Sequence, residues 1–162
     1  PPAHQDFDGH GELEEIAVLE RLLKVTDRDT QPLSAGMRGR ALQRLMELYG
    51  SAMLGWPETC LRGMSLVPLW ARTAAERSAA PQNLEQIVGL ACFFERQLRN
   101  AGSASANDSL IDALQETLYI LEQRWPQHAG LAHVHLALGR ARRRALGARL
   151  DTTAMERITR HF

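Results

Sequence analysis

Apolar residues recur at intervals of three and four positions along most of the chain, which is the period of an amphipathic α-helix. The clearest example follows Pro81, where one helical stripe contains Leu84, Ile87, Val88, Ala91, Phe94 and Leu98. We find no segment in which apolar and polar residues alternate, as they do in half-buried strands. The pattern therefore predicts an all-α fold, an irregular bundle of six or seven helices.

Proline and capping residues set the predicted helix boundaries. Ser34 and Asp108 are candidate N-caps, Pro57 suits a first helical turn, and Pro126 ends a helix. Pro68 is expected to interrupt the third helix and restart it. The seven predicted helices span residues 12–25, 34–52, 57–79, 81–98, 108–125, 129–148 and 151–162.

Length and composition predict the domain organisation. A chain of 162 residues is long enough to build one domain with its own core. We expect a single helical domain over residues 12–162, preceded by a flexible acidic tail at residues 1–11. Residues 100–107, "NAGSASAN", are small and polar without an apolar anchor, so they are predicted to form a flexible linker.

Charge is unevenly distributed, although 19 basic and 19 acidic residues sum to zero. The last 24 residues, Gly139 to Phe162, contain seven arginines against Asp151 and Glu156, a net charge of +5. The preceding residues therefore carry a net charge of −5. Either the two ends neutralise each other, within the fold or between copies in a homo-oligomer, or the basic end binds an anionic partner.

The candidate binding residues are the arginines of this basic end, Arg140, Arg142, Arg143, Arg144, Arg149, Arg157 and Arg160. Residues 139–162 fit a helix-turn-helix loosely, with Asp151 to Thr153 as the turn and Met155 and Ile158 facing inward. Many pairs of consecutive amphipathic helices fit this spacing. A DNA-binding surface, a solvated face and a surface for an acidic protein or an anionic lipid therefore remain alternatives.

The segment "LYILEQRWPQHAGLAHVHLALGRARR" resembles a tetratricopeptide boundary, since a helix ends at Pro126 and Leu138-Gly139 follows in a helix of small and apolar residues. The resemblance implies a helical hairpin that presents a protein-interaction surface at the C-terminal part of the chain. A second copy at the repeat length of about 34 residues is not found.

Signatures of catalysis and of metal or cofactor binding are missing from the sequence. Cys60 and Cys92 are far apart in apolar helical segments, so buried free thiols are expected, which favours a reducing compartment.

His133 and His135 would point about 200° apart on a helix, so they cannot share one ion. The N-terminal residues of metal-ligand type, His4, Asp6, Asp8, His10 and Glu12, follow no metal-site spacing and are interpreted as a solvated tail. No apolar run approaches the roughly 18 residues of a membrane span.

These observations predict a non-enzymatic module that binds a protein partner in a bacterial cytoplasm, as an adaptor, a chaperone for a secreted protein or a regulator. No cofactor and no metal are expected. The alternative prediction is a transcriptional regulator that binds DNA through residues 139–162.

Overall fold

A computed structural model of the chain describes the backbone of residues 3–28, 35–52, 57–77, 81–99 and 104–160, and the side chains of residues 11–24, 36–49, 58–76, 83–99 and 106–160. This part of the chain forms six α-helices and no strand. They are α1 (Ala3–Arg28), α2 (Ala35–Ala52), α3 (Pro57–Arg77), α4 (Pro81–Leu98), α5 (Ala104–Arg124) and α6 (Leu131–Arg160). The predicted irregular all-α bundle is confirmed.

Contacts divide the chain into two compact units, Pro1–Leu54 and Gly55–Phe162. The single domain over residues 12–162 stays a prediction. The predicted linker at 100–107 lies within the second unit: α5 begins at Ala104, and residues 100–103 are outside the described residues.

The first unit pairs α1 with α2. The guanidinium of Arg44 donates to both carboxylate oxygens of Glu15, at 2.7 and 3.1 Å, and the hydroxyl of Tyr49 donates to Glu20. The Arg44 guanidinium lowers the pKa of the Glu15 carboxyl through this hydrogen bond. Apolar side chains of both helices are buried, including Ile16, Leu23, Leu42, Leu45 and Leu48. Met37, near the beginning of α2, is half exposed.

The second unit is a four-helix arrangement of α3, α4, α5 and α6. Helix α3 contacts α4 and α5, and α6 also contacts α4 and α5. Within the described residues α3 and α6 do not meet, so they occupy opposite corners, while α4 and α5 touch across the middle.

Ion pairs define the directions of the helices in the second unit. His135 of α6 lies 2.7 Å from Glu122 of α5, and Arg149 lies 3.8 Å from Asp108. Because the later residue of α6 meets the earlier residue of α5, these two helices are antiparallel. The hairpin expected at the C-terminal part is therefore present, while its tetratricopeptide character remains a prediction.

The core of the second unit is built from the apolar stripe of each helix. The stripe predicted for α4 is buried along its full length, from Leu84 to Leu98. It packs with residues of the other three helices, among them Met64, Val67, Trp70, Leu110, Leu114, Leu118, Leu121, Leu131, Val134, Leu138 and Ala141. Since burial of apolar surface is the main favourable contribution to folding, these stripes account for the association of the four helices.

Several helices differ from the predicted boundaries, and α5 begins at Ala104, before the predicted N-cap Asp108. Helix α1 begins at Ala3, so the segment predicted as a tail is helical from that residue, and no proline interrupts α1 before Arg28. Helix α3 continues through Pro68, where an interruption was predicted. Proline lacks the amide proton that an interior helical position donates. The buried neighbours Val67 and Trp70 show that the packed face of α3 offsets that loss.

Gly63 of α3 provides a test of how closely α3 packs against α4. A Cβ atom at Gly63 would lie 2.9 Å from Cε1 and 3.0 Å from Cε2 of the buried Phe94 ring, whereas a Cβ at Gly89 of α4 would meet open space. We expect Gly63→Ala to lower the free energy of unfolding by about 1–3 kcal/mol through overpacking. The control Gly89→Ala should raise it by about 0.5–1 kcal/mol through helix propensity. Urea unfolding measures both, and equal stabilisation by the two changes would contradict the packing described.

Candidate functional site

The seven candidate arginines all lie on one helix, α6. Six of them are exposed to solvent, and Arg144 is the exception, with 22% of its side chain exposed. The structure therefore separates the partly buried Arg144 from the exposed set, Arg140, Arg142, Arg143, Arg149, Arg157 and Arg160.

Arg144 is held by the buried carboxylate of Glu95 on α4. Its Nη1 donates to Oε1 of Glu95 at 2.8 Å, and Nη2 of Arg99 donates to Oε2 at 3.1 Å. Glu95 is 1% exposed, so its charge is removed from water almost completely. A buried carboxylate requires such charged partners because its desolvation is costly. Arg144 therefore links α6 to α4, and its role in binding a partner stays a prediction.

Sequence analysis did not identify Glu95. The available signal was its position within the apolar run of α4, directly after the buried Phe94. An acidic residue at such a position requires a basic partner, but sequence spacing does not say which one. The partner Arg144 lies 49 positions later in the chain.

Helix α6 is continuous from Leu131 to Arg160, so the turn predicted at Asp151 to Thr153 does not form. The hydroxyls of Thr152 and Thr153 donate to the carbonyls of Ala148 and Arg149, both at 2.9 Å. These bonds satisfy the two hydroxyls inside a helix, and the segment contains neither glycine nor proline. The helix-turn-helix interpretation of residues 139–162 is therefore wrong.

The second half of α6 has no buried residue. All the buried residues of this helix lie between Leu131 and Ala141, and every residue from Leu146 to Arg160 is exposed. Met155 and Ile158, which were predicted to face inward, are 64% and 54% exposed.

Two exposed leucines of α6, Leu146 and Leu150, point away from its buried stripe, whereas the exposed Met155 continues the side of that stripe. At about 100° per residue, Leu150 lies about 180° from Ala141, the last buried residue. Leu146, Leu150 and two arginines at positions 143 and 157 fall within about 60° of one another around the helix. We call this group, Arg143, Leu146, Leu150 and Arg157, the outer face of α6.

A second group of arginines occupies a different side of the same helix. Arg142, Arg149 and Arg160 are separated by 7 and 11 positions, which places them within about 20° of one another. We call these three residues the basic face of α6. All three are exposed, and the pair of Arg149 with Asp108 is long at 3.8 Å and open to solvent, so it contributes little to stability.

Two depressions adjoin α6. The first, of about 390 Å³, lies beside the beginning of α5 and is lined by Asn107, Asp108, Ala145, Ala148, Arg149, Thr152 and Thr153. The second, of about 170 Å³, lies between α4 and α6 and is lined by Cys92, Glu95, Arg96, His133, Leu136, Ala137 and Arg140. Cys92 brings a thiol, a possible nucleophile, to the second depression.

Thiol chemistry is disfavoured at both cysteines. Burial raises the pKa of the Cys92 thiol, although Arg96 acts in the opposite direction, and burial also raises the pKa of Cys60. The thiolate is the reactive form, so a raised pKa leaves these groups largely protonated near neutral pH. The two cysteines form no disulfide, and Cys60 is buried as expected while Cys92 is partly exposed.

Among the described side chains no group of three histidine, cysteine, aspartate or glutamate residues is arranged to hold a metal ion. The N-terminal candidates at positions 4–10 lie outside the described side chains. A search of the described helices also finds none with the length and apolar character needed to cross a bilayer.

Comparisons of the chain with models of protein families, with curated protein sequences and with solved structures give no match.

The buried charge pair provides a test of how α6 is anchored. We expect Glu95→Gln to lower the free energy of unfolding by about 2–4 kcal/mol, because Arg144 loses its counterion in a largely buried position. The control Glu122→Gln removes an exposed carboxylate that pairs with His135, and its effect should stay within about 0.5 kcal/mol. Urea unfolding measures both variants. A similar small effect for both would show that the Glu95 pair does not anchor α6.

Proposed function

We propose that the chain is a non-catalytic interaction module that binds a protein partner through the outer face of α6. The observation that supports this most strongly is that Leu146 and Leu150 lie on a different side of α6 from its buried residues. Between Leu131 and Ala141 one stripe of apolar residues is buried in the bundle, although Leu136 is 53% exposed, whereas Leu146 and Leu150 are 58% and 61% exposed on another side.

An exposed leucine pair on a helix is a favourable binding surface. Leu146 and Leu150 are one turn apart, so both side chains contact the same partner residues. Helix-in-groove recognition uses anchors with this spacing. Covering the two leucines would bury apolar surface that the fold itself leaves in water.

Partner binding would also stabilise the second half of α6. A helical segment of this length is marginally stable in water when no face of it is packed. A partner that packs on Leu146 and Leu150 would supply the tertiary contacts that this segment lacks. The proposed roles as a bacterial adaptor, a secretion chaperone or a regulator, and the cytoplasmic location, all remain predictions from the sequence.

Replacement of the two exposed leucines tests this function. We expect Leu146→Gln/Leu150→Gln to lose protein partners that the native chain retains from a lysate of its own source cells. Circular dichroism and melting should stay unchanged, because both positions are exposed. The control Tyr119→Gln changes another exposed residue of the second unit, 64% exposed, and should retain all partners. Identical retention by the native chain and the leucine variant would refute the proposed surface.

The second candidate function is nucleic-acid binding, and the basic face of α6 is the observation that favours it. Arg142, Arg149 and Arg160 lie on one exposed side of a single helix. Guanidinium groups aligned in this way suit contacts with phosphates along a groove. The apolar residues of the outer face are not explained by this function, so we place it second.

Nucleic-acid binding has a distinct salt dependence. If the basic face binds phosphates, anisotropy of a labelled random duplex should show affinity that falls by about tenfold or more between about 50 and 200 mM salt. The variant Arg142→Glu/Arg149→Glu/Arg160→Glu should abolish binding, while Leu146→Gln/Leu150→Gln should leave it unchanged. Arg144 is left in place because of its pair with Glu95. Absence of binding at about 50 mM salt would exclude this function.

A further inference from the structure

The outer face has a defined order of side chains along α6. Its two leucines stand between two arginines, Arg143 and Arg157, which are 14 positions apart. At about 1.5 Å per residue, the two arginines are separated by about 21 Å along the helix axis. All four residues are exposed, and neither arginine has an ion-pair partner among the described residues. The face is thus an apolar patch with a cationic group at each end.

Charge decides which occupant fits this patch. The sequence from Arg140 to Arg160 contains seven arginines against two acidic residues, a net charge of +5. A second copy that paired through the same segment would bring two such charges together, which is unfavourable. A nucleic acid would neutralise the arginines but would leave the leucines uncovered. An acidic protein surface with apolar residues satisfies both requirements.

Backbone hydrogen bonding decides the conformation of that occupant. A single α-helix offers no free strand edge, because its interior amide and carbonyl groups are bonded within the helix. An extended peptide lying on α6 would leave its own backbone groups without partners on that side. A helix has no such requirement, and its side chains pack against the i, i+4 pair Leu146 and Leu150.

We propose that the outer face of α6 binds an acidic amphipathic helix of a partner protein. The apolar stripe of the partner covers Leu146 and Leu150, and its carboxylates pair with Arg143 and Arg157. In a partner that runs alongside α6, these carboxylates lie about 21 Å apart, or about 14 positions along a helix. This inference rests on the proposed function and adds the chemical class of the partner.

Two synthetic peptides serve as probes of this proposal. Both have about 22 residues, long enough to span both arginines, with a leucine stripe at helical spacing and alanine and glutamine elsewhere. The acidic peptide carries glutamates that bracket the stripe about 14 positions apart, and the basic peptide carries lysines at the same positions. Fluorescence anisotropy measures the binding of each labelled peptide to the full chain.

We expect the acidic peptide to bind the native chain and the basic peptide to bind it at least about tenfold more weakly. The variant Arg143→Glu/Arg157→Glu should bind the acidic peptide about tenfold or more weakly than the native chain does, and it should bind the basic peptide more tightly. The matched control Arg142→Glu/Arg149→Glu makes the same change in charge on the basic face and should alter binding by less than about threefold. Equal weakening by the two variants would overturn the proposal, because binding would then follow net charge alone.

The leucine variant Leu146→Gln/Leu150→Gln distinguishes this proposal from the function on which it rests. Suppose that the leucine variant binds neither peptide, while Arg143→Glu/Arg157→Glu binds both peptides as the native chain does. The binding surface is then correct, and the acidic character of the partner is wrong. If the leucine variant binds the acidic peptide like the native chain, both the surface and the partner are wrong. Sedimentation of the chain alone adds a further check: a dimer that the leucine variant abolishes would identify a second copy as the occupant and would overturn the proposal.

Discussion

The buried carboxylate of Glu95 is the constraint on which the account of α6 depends. It lies in the apolar stripe of α4, where an unpaired charge would be strongly destabilising. Arg144 of α6 and Arg99, the residue directly after α4, supply the opposing charge, at 2.8 and 3.1 Å. Because a guanidinium can form directed bonds to a carboxylate, the pair fixes the rotation of α6 as well as its distance from α4.

The position of this pair along α6 divides the helix into two parts. Buried residues end at Ala141, one turn before Arg144, and every residue from Leu146 onward is exposed. The first part belongs to the core of the second unit, and the second part is a surface. The same arginine-rich sequence therefore serves two purposes: one arginine stabilises the fold, and the others remain in contact with solvent on separate faces of the helix.

The sequence predicted what depends on local periodicity. The stripe of α4 and the first half of α6 follow helical spacing and are buried as expected. Two interruptions were predicted wrongly, at Pro68 and at Asp151 to Thr153, because packing and side-chain bonding allow the helix to continue there. The inward direction of Met155 and Ile158 failed because periodicity shows that a face is apolar but not whether anything covers it. The role of Glu95 depends on a contact between distant positions, which one sequence does not reveal.

Hydrogen exchange along α6 tests most directly whether one helix combines a packed half and an exposed half. We expect the amides between Val134 and Ala141 to exchange only through global unfolding, since these residues are in the core. Amides between Leu150 and Arg160 should exchange by local opening at much lower free energy. Uniformly strong protection along the whole of α6 would contradict the account, because it would require the second half to be packed within the chain alone.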